Sequence, residues 1–294
     1  MLSRLPPVLR GVAASLTLAL CTPVLTFSML PPALIKLLVP SVALRRACDR
    51  LLTGLATAWV AVNNAWITAV RPAHLPDWDV QGVQGLDPRG WYLVSANHQS
   101  WVDIVVLQRI FHGRIPFLKF FLKRELIWVP VIGLAWWALD FPFMKRGKGQ
   151  GARGADLQAT RDACEKFKRI PTSVINFVEG TRFTAAKHAQ SRSPYQHLLK
   201  PKIGGVGVAL ATMGEQFTAL VDVTIVYPGG APRFWDLMCG RVPAVVVRVQ
   251  TRPIPADLLG GDPVLDKAYR RRLSQWVDDQ WREKDALIGS LLQR

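Results

Sequence analysis

Two uncharged apolar runs near the N-terminus, Gly11 to Leu30 and Leu51 to Val70, restrict the folds open to this chain. Each run has 20 residues, which is long enough to cross the hydrocarbon core of a bilayer as a helix. Proline residues interrupt the first run and asparagines lie inside the second. Two spanning helices and a kinked, partly embedded hairpin are both compatible with this pattern. The sequence therefore predicts membrane-associated helices over residues 1–75 and leaves their topology open.

The positive charge is concentrated in one part of the chain. Lys and Arg number 37 against 21 Asp and Glu, and the segment from Asp140 to Lys202 alone holds 13 basic and 5 acidic residues. Such a segment attracts anions, which include nucleic acid, anionic lipid headgroups and phosphorylated small substrates. The apolar runs favour the lipid-related partners in this set.

Composition and cysteine spacing exclude other classes. Half of the residues are apolar, which excludes a disordered chain. The four cysteines lie far apart without a C-x-x-C pair, which argues against a disulfide framework and a zinc site, and indicates a reducing compartment.

After Arg71 the pattern changes to short apolar runs that alternate with helical ones, which predicts an α/β domain over residues 76–262. The predicted strands are Trp91–Asn97, Phe141–Lys145, Ser173–Glu179, Ala219–Tyr227 and Ala244–Thr251. The predicted helices are Trp101–Phe111, Ala155–Arg169 and Gly205–Met213, followed by a C-terminal amphipathic helix within 263–294 that we expect to cover the domain. The apolar segment Trp128–Leu139 is too short to cross a membrane, and a core helix and a membrane-facing or acyl-lining surface both remain open for it.

A first cluster of polar residues follows the strand that ends near Asn97. In the stretch NHQSWVD, Ser100 and Asp103 have the S-x-x-D spacing of a helix cap. A histidine before a helix and a carboxylate in its first turn can also pair, so that Asp103 holds the imidazole of His98 while that ring accepts a proton. Both interpretations can hold at once.

Two further clusters follow predicted strands. FVEGTR joins an apolar strand to a turn in which Gly180 permits a tight bend and Arg182 offers a planar fork for a phosphate. FMKR ends another predicted strand with the adjacent cations Lys145 and Arg146. Taken separately, each cluster is also compatible with an ordinary strand end carrying solvated charges.

Together, NHQSWVD, FMKR, FVEGTR and VTIVYP occur in the order and approximate spacing of the four motifs of the lysophospholipid acyltransferase family. Between Trp91 and Pro228 the chain resembles a 1-acyl-glycerol-3-phosphate acyltransferase of a bacterial branch. The resemblance implies a mixed sheet flanked by helices. It also implies transfer of a fatty acyl group from acyl-CoA or acyl-carrier protein to the sn-2 hydroxyl of lysophosphatidic acid, or to a related lysophospholipid.

The resemblance also implies roles for individual residues. His98 would act as the general base on the acceptor hydroxyl and Asp103 would orient it, with no acyl-enzyme. Glu179, Gly180, Thr181 and Arg182 match the acceptor-binding motif, in which Arg182 is assigned to the phosphate. Arg146 would join Arg182, and Lys123 would stabilise the developing oxyanion. Val178 departs from the proline of many members, which leaves the choice of acceptor open.

The implied setting is the cytoplasmic face of a bacterial inner membrane, because acyl thioesters are made in the cytoplasm. The basic surface would face anionic lipids. No cofactor, metal ion or nucleic acid partner is expected besides the thioester co-substrate. The remaining histidines, His74, His112, His188 and His197, lack metal-ligand spacing.

Two alternatives are weighed against this interpretation. Residues 149–154 satisfy the G-x-G-x-x-G pattern of dinucleotide folds, but the basic stretch from Lys145 to Lys148 intervenes before the first glycine of the pattern, and a basic loop over the acceptor fits these residues better. A non-enzymatic basic protein that binds membranes or nucleic acid would also explain the charge, and its salt-dependent binding would survive loss of His98.

Overall fold

The computed structural model of the protein describes residues 2–141, 143, 144, 162, 164–263 and 266–293, with the side chains of Lys123 and Met144 excepted. The α-helices are α1 (Pro7–Leu38), α2 (Val42–Val70), α3 (Val102–Phe111), α4 (Ile132–Ala138), α5 (Ala185–Ser191), α6 (Gly204–Met213), α7 (Phe234–Met238) and α8 (Lys267–Leu292). Short 3-10 turns lie at Leu2–Arg4, Arg124–Trp128, Gly214–Gln216 and Ala256–Leu258, and residues 162 and 164–167 are helical as well.

Helices α1 and α2 pack along each other as a hairpin. Ser41 caps α2 by accepting a hydrogen bond from the backbone N–H of Leu44. Arg10 donates to the carbonyl of Val70 at one end of the pair, and Lys36 pairs with Asp49 at 3.0 Å at the other. Each of the two apolar runs thus lies in one continuous helix, and a tight connection joins the two helices.

Helix α1 keeps a broad apolar face in contact with solvent. Leu16, Leu20, Val24 and Phe27 are all more than half exposed. Among the described residues, α1 is the helix whose length and composition would allow it to cross a membrane. Such a face on a water-soluble domain is unusual, because a monomer gains free energy by burying it.

The strands are β1 (Asp79–Gln81), β2 (Tyr92–Ala96), β3 (Leu118–Phe120), β4 (Leu122–Lys123), β5 (Phe143–Met144), β6 (Ser173–Phe177), β7 (Ala219–Val226) and β8 (Val246–Arg252). Within the described residues, six of them form one sheet in the order β1-β8-β7-β2-β6-β3. Strands β7, β2, β6 and β3 run parallel, and β8 is antiparallel to β7. The mixed sheet flanked by helices is the predicted fold class, and the structure confirms it.

Apolar side chains cover both faces of the central strands, so the sheet lies between two cores. One core joins the sheet to α1, α2 and α3, and the other joins it to α6 and α8. Helix α8 begins after Asp266, whose carboxylate accepts from the backbone N–H groups of Ala268 and Tyr269. Trp281 of α8 is buried and donates to the carbonyl of Leu199, so this helix packs against the domain.

Two predicted elements lie partly outside the described residues. Of the strand expected at Phe141–Lys145, residues 142 and 145 are not described, and Phe143–Met144 pair with β4 outside the main sheet. Phe141 precedes the strand because its N–H donates to the carbonyl of Trp136 and so ends helix α4. Of the helix expected at Ala155–Arg169, residues 155–161 and 163 lie outside the described residues.

The Trp128–Leu139 segment has both buried and exposed side chains. Ala135 and Ala138 are buried against the core, whereas Leu134 and Trp137 are exposed and Trp128 is 83% exposed. The structure thus shows a short helix with one face in the core, and a membrane-facing or acyl-lining role for the exposed side stays a prediction.

Candidate active site

The loop that carries His98 begins at the carboxyl end of β2, between the parallel neighbours β6 and β7. Asn97 fixes the start of this loop. Its side chain donates to the carbonyl of Ile225 and accepts from the N–H of the same residue, both at 2.8 Å, and it is fully buried. Functional sites of α/β sheets lie at the carboxyl ends of parallel strands. The two hydrogen bonds between Asn97 and Ile225 fix the direction of the chain at this end.

The imidazole of His98 is held on two sides. Its Nδ1 lies 2.8 Å from Oδ2 of Asp103, and its ring stacks on Phe177 at 3.9 Å between ring centroids. The hydrogen bond at Nδ1 assigns that nitrogen to the carboxylate and leaves Nε2 as the nitrogen for an incoming group. The structure thus brings His98 and Asp103 together, as the sequence predicts.

Asp103 is a completely buried carboxylate with every oxygen occupied. Besides His98, its Oδ2 accepts from the N–H groups of Gln99 at 2.6 Å and Ser100 at 2.8 Å. Ser100 Oγ in turn accepts from the N–H of Val102. The helix cap and the pairing with His98 thus coexist, and the cap amides make it favourable to keep a negative charge where water cannot reach.

Tyr227 completes the shell around Asp103, and the sequence did not single it out. Its hydroxyl donates to Oδ1 of Asp103 at 2.6 Å. Burial and the negative charge of Asp103 raise the pKa of Tyr227 well above its usual value, so the phenol stays protonated and can donate. Its only signal in the sequence was its place before Pro228, at the end of β7.

Glu179 lies beneath the site. Its Oε1 accepts from the N–H of His98 at 2.8 Å and its Oε2 from the N–H of Leu199 at 2.9 Å, and the side chain is buried. Although the sequence placed Glu179 in the acceptor-binding motif, its geometry is that of a positioning residue for the His98 loop. Burial raises the pKa of Glu179 to about 7, the charge of Asp103 adds to this effect, and the two backbone donors oppose it.

Replacing Glu179 with Gln should change how stability depends on pH. Because the folded pKa of about 7 exceeds the ordinary value of 4.5, Glu179 contributes stability that is complete below pH 4.5 and lost as the pH rises through 7. We expect the unfolding free energy of the wild type, relative to Glu179→Gln, to fall by on the order of 3 kcal/mol across this range. Urea denaturation in detergent at a series of pH values measures it, with the exposed Glu215→Gln as control. Parallel curves for wild type and Glu179→Gln would contradict the raised pKa.

The turn from Gly180 to Arg182 lies against the His98 loop. The N–H of Phe183 donates to the carbonyl of His98 at 2.7 Å. Gly180 has φ of 67°, a conformation that favours glycine, and the guanidinium of Arg182 lies 4.9 Å from the centre of the Trp101 ring. Arg182 is exposed, and the turn that carries it lies beside the His98 loop.

The second predicted cluster is described in part. Arg146 and Lys145 lie outside the described residues, as does the G-x-G-x-x-G stretch at 149–154. The backbone of Lys123 pairs with that of Met144, so the segment before the FMKR cations runs beside the lysine assigned to the oxyanion. Within the described part of the chain, no three His, Cys, Asp or Glu side chains gather as metal ligands do.

The mixed sheet thus carries a paired histidine and buried aspartate at the carboxyl ends of its strands, with a basic turn beside them. The family model named Acyltransferase matches residues 77–227, about half of the chain. The chain belongs to this acyltransferase family, which confirms the resemblance predicted from the motifs.

Curated relatives agree with this assignment. The chain is 28% identical over 211 residues to 1-acyl-sn-glycerol-3-phosphate acyltransferase gamma of Mus musculus, which covers 66% of this chain and 52% of the relative. It is 31% identical over 212 residues to 1-acyl-sn-glycerol-3-phosphate acyltransferase 2 of Arabidopsis thaliana, which covers 67% and 50%. The chain therefore spans about half the length of these relatives.

The crystal structure of the 1-acyl-sn-glycerophosphate acyltransferase PlsC from Thermotoga maritima has the same fold. The two structures superpose with a TM-score of 0.51 at 18% sequence identity, over 93% of this chain and 97% of the other. The likeness extends beyond residues 77–227, so it includes the helical hairpin as well as the sheet.

Proposed function

We propose that this protein transfers a fatty acyl group from a thioester to the sn-2 hydroxyl of lysophosphatidic acid and so forms phosphatidic acid. The observation that carries the proposal is the pairing of His98 Nδ1 with the buried Asp103, which leaves Nε2 as a base beside a basic turn. The relatives are named 1-acyl-sn-glycerol-3-phosphate acyltransferases, and these names support the same acceptor.

In the proposed reaction, Nε2 of His98 takes the proton of the acceptor hydroxyl as its oxygen attacks the thioester carbonyl. The C–S bond then breaks, and the imidazolium returns the proton to the departing thiolate, which leaves as a free thiol. Asp103 stabilises the imidazolium between these steps. Atoms and charge balance with the donor and acceptor alone, so no acyl-enzyme is needed.

Binding roles for the remaining motif residues follow from charge. Arg182, at the edge of the site, is proposed to hold the acceptor phosphate, with Arg146 as its partner, through the fork geometry that guanidinium groups offer to phosphate. Thr181 and Gly180 shape the turn that presents Arg182. Lys123 is proposed to stabilise the oxyanion of the tetrahedral intermediate.

An assay with purified protein in detergent micelles tests the proposal. We expect free thiol release from acyl-CoA, or from acyl-carrier protein, that depends on lysophosphatidic acid and yields phosphatidic acid by mass spectrometry. Lysophosphatidylcholine and monoacylglycerol are the comparison acceptors. Faster turnover of another lysophospholipid would show that this lipid, rather than lysophosphatidic acid, is the preferred acceptor. Absence of turnover with either donor in folded protein would reject the reaction in favour of a binding protein.

We also propose that α1 anchors the chain to a bacterial inner membrane, with the sheet domain on the cytoplasmic face. The exposed apolar face of α1 and the sequence pI of about 10.3 support this. We expect the protein to stay with membranes washed in about 1 M salt, which screens charge attraction but not apolar insertion. The sheet domain should also resist protease added outside intact spheroplasts. Release by salt, or cleavage from outside, would overturn the anchor or its orientation.

A further inference from the structure

A lysine outside the predicted motifs lies directly over Gly180. A Cβ atom added to Gly180 would lie 3.1 Å from Cδ and 3.3 Å from Nζ of Lys202. The backbone N–H of Lys202 donates to the carbonyl of Val178 at 2.7 Å, which ties the base of this side chain to the end of β6. Lys202 therefore occupies the space that the missing side chain of Gly180 leaves open.

A second lysine forms hydrogen bonds with the same turn. Nζ of Lys187 donates to Oγ1 of Thr181 at 2.7 Å and to the carbonyl of Arg182 at 3.1 Å. Lys187 and Lys202 thus lie against the turn at residues 180 to 182, and Arg182 of this turn forms a cationic cluster with them. Because the next residue, Phe183, bonds the carbonyl of His98, this cationic cluster borders the His98 loop.

In the part of the chain that the structure describes, the cationic cluster has no acidic partner. Among the residues that the structure describes, no carboxylate lies within ion-pair distance of Lys187, Arg182 or Lys202. The nearest acid in the motif is Glu179, which is buried with both oxygens bonded to backbone N–H groups. Three uncompensated cations around one turn attract a ligand with more than one negative charge.

We infer that Lys202 binds the acceptor phosphate together with Arg182 and makes the site select a phosphate monoester over a phosphodiester. A monoester carries close to two negative charges at neutral pH and offers three acceptor oxygens, whereas a diester carries one charge and a headgroup that occupies one oxygen. Lys187 is a positioning residue in this cluster, since its ammonium is already bonded to Thr181 and Arg182. The inference rests on the proposed function.

Lys202→Met tests the inference, because methionine keeps an unbranched stem over Gly180 and removes the charge. We expect the KM for lysophosphatidic acid to rise about 10- to 100-fold, as for loss of a charged hydrogen bond, with kcat within about threefold of wild type. The preference for lysophosphatidic acid over lysophosphatidylcholine should shrink by the same factor. Lys202→Arg should restore most of the affinity.

Lys200→Met is the matched control, because Lys200 is an exposed lysine two positions away. Its KM should equal that of wild type. An unchanged KM in Lys202→Met would overturn the inference, and so would equal losses toward lysophosphatidic acid and lysophosphatidylcholine. Calorimetric titration with short-chain lysophosphatidic acid distinguishes failure of the proposed function from failure of the inference about Lys202. If wild type binds this lipid without acylating it, the proposed function fails while the dissociation constants of the variants still test Lys202.

Discussion

Replacement of His98 with Ala is expected to slow phosphatidic acid formation by about 10²- to 10⁴-fold, the usual contribution of a general base. Nε2 of this ring is the proposed proton acceptor, and alanine leaves the acceptor hydroxyl without one. The Asp103 carboxylate keeps its bonds to Gln99, Ser100 and Tyr227, so the loop should stay folded. Initial rates of thiol release, with the lipid product identified by mass spectrometry, measure the effect.

His74→Ala is the matched control for this experiment. His74 is an exposed histidine away from the His98 loop, so its loss should leave the rate unchanged. Binding of His98→Ala to anionic vesicles should equal that of wild type, since none of the proposed membrane contacts involve this ring. A rate in His98→Ala within a few-fold of wild type would remove His98 from the chemistry.

Replacement of Lys284 with Met is expected to lower the free energy of unfolding by about 3–5 kcal/mol, because it breaks a buried ion pair. Nζ of Lys284 lies 2.8 Å from Oδ1 of Asp222 and donates to the carbonyl of Val223 at 2.6 Å. Both side chains are buried, and burial lowers the pKa of Lys284. Removal of the ammonium leaves the Asp222 carboxylate in the core without its charge partner. Urea denaturation in detergent measures the loss.

Two further variants locate the cause of this loss. Lys267→Met changes an exposed lysine in the same helix, and its effect should stay within about 0.5 kcal/mol. In the double variant Asp222→Asn with Lys284→Met, no unpaired charge remains, so part of the lost stability should return. A single variant as stable as Lys267→Met would contradict a stabilising pair between α8 and β7.

The sequence was informative where the signal is local. His98 and Asp103 are five residues apart, and a strand end followed by a helix start brings such residues together without knowledge of the rest of the chain. The central strands β2, β6 and β7 were predicted to within a few residues, because their apolar runs are continuous. The same holds for α3 and α8, whose apolar positions recur at helical spacing.

The residues that the sequence did not place act over long separations. Tyr227 reaches Asp103 across 124 residues, and Glu179 reaches His98 across 81. Neither contact leaves a periodic pattern, since each depends on which strands become neighbours in the sheet. Strands β1 and β3 were missed because three residues are too few to show alternation. The contact between Lys202 and Gly180 depends on the folded conformation of the turn at Gly180, which the sequence does not specify.

A single-turnover experiment tests direct transfer to lysophosphatidic acid most plainly. Excess wild-type protein is mixed with radiolabelled acyl-CoA, first without and then with lysophosphatidic acid, and the label is followed in protein, thiol ester and lipid. Direct transfer with His98 as base predicts that the label stays on CoA until the acceptor arrives and then moves into phosphatidic acid without protein-bound label. Label on the denatured protein, or no labelled phosphatidic acid from folded protein with either thioester donor, would contradict it.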